Sequence, residues 1–182
     1  METPEQHALI IIDLWDKYWP GYTRFQNILE QTENRLCSNL NRFQGPVVLS
    51  CYNTYKDENN NYIRPHYHNE PWTRPSLLLE NCVLSHRYPN LVSWNYNEVY
   101  KFLEKNNVSS IIYAGASLPG CIENRDLGLL NMSSQFKCKL LIDCIVNLSS
   151  NGYNDYEIIH DAYRYALKLK YELITSDTLH LI

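Results

Sequence analysis

The sequence predicts a doubly wound α/β fold, with a six-stranded parallel sheet in the order 3-2-1-4-5-6 and helices on both faces. Three observations predict it. Six short runs are almost continuously apolar rather than alternating, which is how strands read when both faces of a sheet are buried. Helical patterns with one apolar face separate most of these runs. The 182 residues contain no internal repeat and no linker-like stretch, so residues 1–182 read as a single domain.

The first run is Ala8–Ile12, followed by Asp13. Phe25, Ile28, Leu29, Leu36, Leu40 and Phe43 then fall largely on one helical face. Pro46–Ser50 reads as strand two, Cys82–Ser85 as strand three and Ser110–Ala114 as strand four, with Val99, Phe102 and Leu103 on a helix before strand four. A helical pattern around Leu127 and Leu130 leads to strand five, Leu140–Cys144. The clearest helix, carrying Ile158, Ile159, Ala162, Ala166 and Leu169, precedes strand six, Glu172–Thr175. The stretch from Asn53 to Pro75 breaks the rhythm, with three consecutive asparagines (Asn59–Asn61), three prolines, and His66 and His68. It reads as a long surface loop or flap where a crossover helix would ordinarily stand.

Bulk properties bound the function. Hydrophobic residues make up 45%, enough for a core, and the net charge is −4. With no basic excess to hold a phosphate backbone, nucleic acid is not an expected partner. The first residues lack a basic segment followed by a long apolar one, and the run Ala8–Ile12 is too short to span a bilayer, so no membrane partner and a cytoplasmic location are expected. Of the six cysteines, Cys51, Cys82, Cys138 and Cys144 sit in or beside apolar runs, where a reduced cysteine packs as a small hydrophobe. There is no CxxC pair of the structural-zinc kind. Fifteen tyrosines and four tryptophans suggest either an interface or a ring-lined pocket.

In an open α/β sheet, ligands bind beyond the carboxyl ends of the strands, where the strand order reverses. In the predicted order that point lies between strands one and four. Asp13 follows strand one, and Cys121 follows strand four after the loop Gly115-Ala-Ser-Leu-Pro-Gly120. Cys121 is expected to open a helix continuing through Asn124–Ser133, whose N-terminus would favour the thiolate. A carboxylate nearby can take the thiol proton and hand it on. Read alone, an aspartate ending a first strand is often a cap or a magnesium ligand, and a lone cysteine in a loop is more often inert than catalytic. Their pairing across the switch point raises the catalytic reading.

Several segments then resemble the isochorismatase-like hydrolases, a superfamily that includes nicotinamidases and N-carbamoyl amine amidohydrolases. Ala8-Leu-Ile-Ile-Ile-Asp13-Leu-Trp15-Asp16-Lys17 resembles their opening strand, and Ile111-Ile-Tyr-Ala-Gly115-Ala-Ser-Leu-Pro-Gly-Cys121-Ile122 their nucleophile loop. Leu140-Leu-Ile-Asp143-Cys, His160-Asp-Ala-Tyr-Arg-Tyr-Ala-Leu and Ile174-Thr-Ser-Asp-Thr-Leu resemble the later strand, closing helix and last strand. Asn124-Arg125-Asp-Leu-Gly128 departs from the family pattern, with Arg and Gly in place of the more usual residues. The resemblance implies that Cys121 attacks an amide carbonyl while Asp13 serves as base and then acid. It also implies a cis peptide at Ala116–Ser117, an oxyanion hole formed by the amides of Ser117 and Cys121, no cofactor, and a homo-oligomer acting on a small amide-like substrate. Trp15 and Tyr52, near strand ends, are expected to wall the substrate pocket.

The pattern breaks at the family's third catalytic residue, a lysine just after strand three. No lysine occurs from Asp57 to Tyr100. His86, which can carry a proton near neutral pH, or Arg87, which can only supply charge, is expected to stand in. The missing lysine also keeps open a catalytically weak or inactive relative used for binding or assembly, with Trp72 or Trp94 as interface anchors. Nicotinamidases bind a divalent ion beyond strand two, but Ser50-Cys-Tyr-Asn53 lacks that pattern. His66 and His68 make half a zinc site, and no metal is expected.

Overall fold

Strand β1, His7–Ile12, is buried along its whole length. Its alternate residues serve opposite faces of the sheet. Leu9 and Ile11 join one core with Leu29, Leu36 and Leu79, while Ala8, Ile10 and Ile12 join another with Val99, Leu103, Ala162 and Ala166. This is the reason the run is continuously apolar, because a strand covered on both sides has no solvent face. The structure, a computed structural model, describes residues 5–14, 20–51, 55–56, 62–63 and 76–181.

The six-stranded sheet is parallel throughout. Strands β2 (Val47–Ser50), β3 (Asn90–Val92), β4 (Ser110–Ala116), β5 (Lys137–Val146) and β6 (Glu172–Ile174) stand with β1 in the order β3-β2-β1-β4-β5-β6, as the sequence predicts. Helix α1 (Gln26–Leu40) packs on α2 (Leu77–Leu84) and on β5, and it shares the first core with α2. The second core takes α3 (Tyr96–Lys105), the short turns α4 (Cys121–Asn124) and α5 (Leu129–Met132), and the alanines of α6 (Asp155–Lys168). Within the Asn53–Pro75 stretch, Tyr55–Lys56 and Tyr62–Ile63 pair antiparallel. No helix among the described residues is long and apolar enough to cross a membrane.

Two sequence expectations are corrected. The third strand is not Cys82–Ser85. That run ends α2, and the strand is Asn90–Val92. The eight residues Leu-Leu-Leu-Glu-Asn-Cys-Val-Leu are apolar enough to imitate a buried strand, but Ser76 caps them, its Oγ accepting from Leu79 N. Leu79 and Val83, four apart, are buried on one face. The helix opened by Cys121 also does not run through to Ser133. Arg125 turns extended at ψ 161°, and Gly128 then starts α5 as a separate turn. A Cβ on Gly128 would stand 2.6 Å from Glu123 O, so the chain folds back against α4 where only glycine fits.

Candidate active site

The carboxyl edge of β1 and β4 is shaped by two left-handed residues. Asp13, at φ 52°, turns the chain off the sheet immediately after β1, while its N–H still bonds Ser50 O at 2.9 Å. Aspartate is one of the few non-glycine residues that adopt this conformation readily. Opposite Ile12 stands Gly115, at φ 109°, where a Cβ would lie 2.1 Å from Ile12 O. The ladder between β4 and β5 shifts register at the same point, between Tyr113 and Gly115. Glycine thus lets the backbones of β1 and β4 lie this close at the switch point, where any side chain would strike Ile12 O.

The loop beyond β4 holds two cis peptides, Ala116–Ser117, as the resemblance implies, and Leu118–Pro119. Ser117 anchors it, its Oγ donating to Pro119 O at 2.9 Å and accepting from Leu148 N at 3.1 Å. Gly120, at φ 127°, then admits the single turn of α4, with Cys121 first. On the inner side of that turn the Glu123 carboxylate is buried and accepts hydrogen bonds from Tyr165 OH at 2.9 Å and Tyr171 OH at 2.6 Å. Two phenols from α6 and the segment after it thereby hold α4 in place.

Asp13 and Cys121 are brought together, and the group that joins them is Arg125. Its Nε and Nη2 donate to Asp13 Oδ2 at 3.1 and 2.5 Å, and its Nη2 lies 3.4 Å from Cys121 Sγ. Asp13 is 2% exposed and Arg125 19%, so the pair is largely removed from water, where charge-assisted contacts are strong. The Cys121 thiol is pushed up to about 12, first by burial and then by the Asp13 carboxylate beside it, with Arg125 pulling partly the other way. This corrects the expectation of a helix-stabilised thiolate: one turn of helix carries little dipole, and burial beside a carboxylate outweighs it.

His86 and Arg87 do not reach this group. With the third strand at Asn90–Val92, they precede it and so lie at the amino end of the sheet. His86 Nε2 contacts Gly45 O, just before β2, at 3.1 Å, and its ring lies among Phe43 and Tyr88. Arg87 donates to Tyr88 OH at 2.6 Å and stacks over that ring. The expected substitutes for the family lysine are therefore a packed core histidine and a surface arginine. The residue that follows the real third strand by two is Trp94. It lines a cavity of about 330 Å³ with Asp13, Ser50, Asn124, Arg125 and Asp126 among its other walls. Cys121 is not in that lining and meets the cavity wall at Arg125.

Sequence reasoning does not place Arg125 or Trp94 at the site: it reads Arg125 only as a departure from the family pattern and Trp94 only as an interface anchor. The signal for Arg125 was its position four residues after Cys121, one helical turn away, in the segment already noted as departing from the family. Trp15 and Tyr52 fall outside the described residues, as do His66, His68 and Trp72. Among the described residues, no three His, Cys, Asp or Glu side chains converge as metal ligands.

A six-stranded parallel sheet in this order with helices packed around it makes the chain a doubly wound α/β protein. No family model matches the sequence, and no curated protein matches it by sequence. Solved structures match the fold. MAR1 ribonuclease from Caenorhabditis elegans superposes with a TM-score of 0.62 at 15% identity, over 99% of this chain and 82% of that one. An isochorismatase-like hydrolase from Alkaliphilus metalliredigens gives 0.60 at 11%, over 97% and 98%. A nicotinamidase/pyrazinamidase from Acinetobacter baumanii gives 0.60 at 12%, over 98% and 100%. The chain has the isochorismatase-like fold.

Proposed function

We propose that this chain is a hydrolase, and specifically a cysteine-dependent hydrolase of a small amide or related C–N bond. The observation that carries the reading is the contact of Asp13, Arg125 and Cys121 at the switch point of the sheet. Fold likeness to hydrolases adds to it. In the proposed cycle, Asp13 takes the Cys121 thiol proton as Sγ bonds to the carbonyl carbon, and the amides of Ser117 and Cys121 meet the oxyanion. Asp13 returns the proton to the nitrogen as the C–N bond breaks, leaving a thioester. Water, deprotonated by Asp13, attacks the thioester carbon. The C–S bond breaks, the carboxylic acid departs and the thiol regains its proton.

Arginine does not exchange protons at accessible pH, so Asp13 is the proton carrier of the three, and Arg125 supplies the positive charge expected of the absent lysine. Trp94 offers a ring wall to the substrate, with Trp15 and Tyr52 as further proposed walls. The reading has a small molecule as substrate, needs no cofactor, and has the chain working as a cytoplasmic homo-oligomer. The net charge of −4 supports a small substrate over a polyanion.

One observation favours a second reading, an inactive relative used for binding. Asp13 Oδ2 already accepts two bonds from Arg125, which engages the proposed base within the chain itself. The test is ammonia release from a panel of small amides, beside alkylation of the native protein by dilute iodoacetamide read by peptide mass spectrometry. The hydrolase reading expects ammonia that disappears in Cys121→Ala, and protection of Cys121 by the amide that is cleaved. If no amide yields ammonia and none slows alkylation, the binding reading replaces it.

A further inference from the structure

Helix α6 buries Ile158, Ala162 and Ala166 and turns a different stripe outward. Tyr156, His160, Tyr163 and Leu167 follow one another at intervals of four, three and four residues, the spacing of a seam between paired helices, with Tyr153 just ahead of the helix. Most of the stripe is exposed, with His160 half-buried between its neighbouring rings. Tyr153 is 98% exposed, Tyr156 75%, Tyr163 41% and Leu167 51%. Its rings are already arranged side by side, His160 lying 5.7 Å from Tyr156 and 6.4 Å from Tyr163 between centroids. Large exposed apolar residues in contiguous register on one helix mark an interaction surface, and tyrosine is enriched at such surfaces.

Charge selects the occupant. Beside the stripe Glu157 stands near the start of α6, while Arg164 and Lys168 lie toward its far end; Asp155 is turned to α1, where Asn27 and Gln31 donate to it. Two copies of this helix laid antiparallel bring each acidic end against a basic end, and they also oppose their dipoles. With His160 facing Tyr163 of the partner subunit and Tyr156 facing Leu167 of the partner subunit, Glu157 comes beside Arg164 of the partner subunit. By symmetry this happens twice. Both groups are exposed and only lightly engaged: Arg164, 71% exposed, stands 4.0 Å from Asp161, and Glu157 accepts one bond, from Tyr153 N. We propose that the outer face of α6 is where two copies of this chain pair, helix against helix and antiparallel.

The experiment is sedimentation equilibrium of the full chain over the micromolar range, with circular dichroism to check folding. The expected mass is twice the 21.5 kDa of one chain. Tyr163→Glu, on the exposed stripe, should leave a folded monomer. Glu157→Arg and Arg164→Glu should each give monomers, because like charges then meet twice, and mixing the two variants should restore a dimer of one of each. A wild-type chain that stays monomeric, a dimer indifferent to Tyr163→Glu, or variants that fail to pair when mixed would each overturn the proposal; the first of these would leave the stripe to a different protein.

Discussion

Arg125 meets Asp13 across the top of the sheet on a single carboxylate oxygen, Oδ2, which takes both Nε and Nη2 at 3.1 and 2.5 Å. The same Nη2 stands 3.4 Å from Cys121 Sγ. The guanidinium therefore holds two opposing influences on one thiol. The Asp13 carboxylate discourages ionisation of Cys121 and the Arg125 charge encourages it, with burial tipping the balance toward the neutral thiol. Acid, nucleophile and cation are thus interdependent, and substitutions at each move the others in predictable directions.

Replacing Asp13 by Asn separates thiol reactivity from hydrolysis. Removing the carboxylate charge lowers the Cys121 pKa, so alkylation at mildly alkaline pH should speed up, on the order of tenfold for each unit by which the pKa falls. Amide hydrolysis should nevertheless be lost, because the proton carrier is gone. A variant in which both rates fell together would show that Asp13 does not depress the thiolate. Parallel measurement of the two rates decides the point.

Arg125 acts in the opposite sense. Arg125→Gln removes the charge that favours the thiolate, so Cys121 alkylation should slow, again by about tenfold per pKa unit. Arg125→Lys keeps the charge but not the fork that spans Asp13 and Cys121, and it should recover part of that rate. The pH dependence carries the same sign: in the native protein, alkylation should keep rising through the alkaline range toward the pKa of about 12, with no plateau near neutrality.

Gly115 is held by its neighbour's backbone as well as by its own φ. An alanine there would put Cβ 2.1 Å from Ile12 O at φ 109°, so β1 and β4 must part or the backbone at Gly115 must rotate. Gly115→Ala should lower stability by about 3 kcal/mol, read as a shift of the urea midpoint with unchanged slope. The same shift should loosen the Asp13–Cys121 geometry, because both residues leave the sheet at this edge.

Alkaline conditions should destabilise the fold through its buried thiols. Burial raises Cys51, Cys121 and Cys144 above the ordinary thiol value of 9.0. Below that value both folded and unfolded chains keep these protons. Above it the unfolded chain releases them while the folded chain retains them, so stability falls as pH rises toward the folded values. The urea midpoint should decline above about pH 9, and less steeply in Cys51→Ala, where one such group is removed.

The sequence by itself determined the class of fold and the two residues that face one another across the sheet. β1, β2, β4 and the core of β5 are legible because burial on both faces leaves continuous apolar runs, β6 only because it follows the strong helical pattern of α6, and Asp13 and Cys121 because chain order alone puts them after strands one and four. The third strand was not legible. Asn90–Val92 is a half-buried edge of three residues, while the apolar helix Leu77–Leu84 beside it reads more like a strand than the strand does. That misplacement carried His86 and Arg87 to the wrong end of the sheet. Only the tertiary structure decided that Arg125 completes the site. An arginine four residues beyond a cysteine is by itself an ordinary surface residue. Its course is set by the extended turn at Arg125 and the close packing of Gly128 against Glu123, contacts between segments that no local pattern encodes.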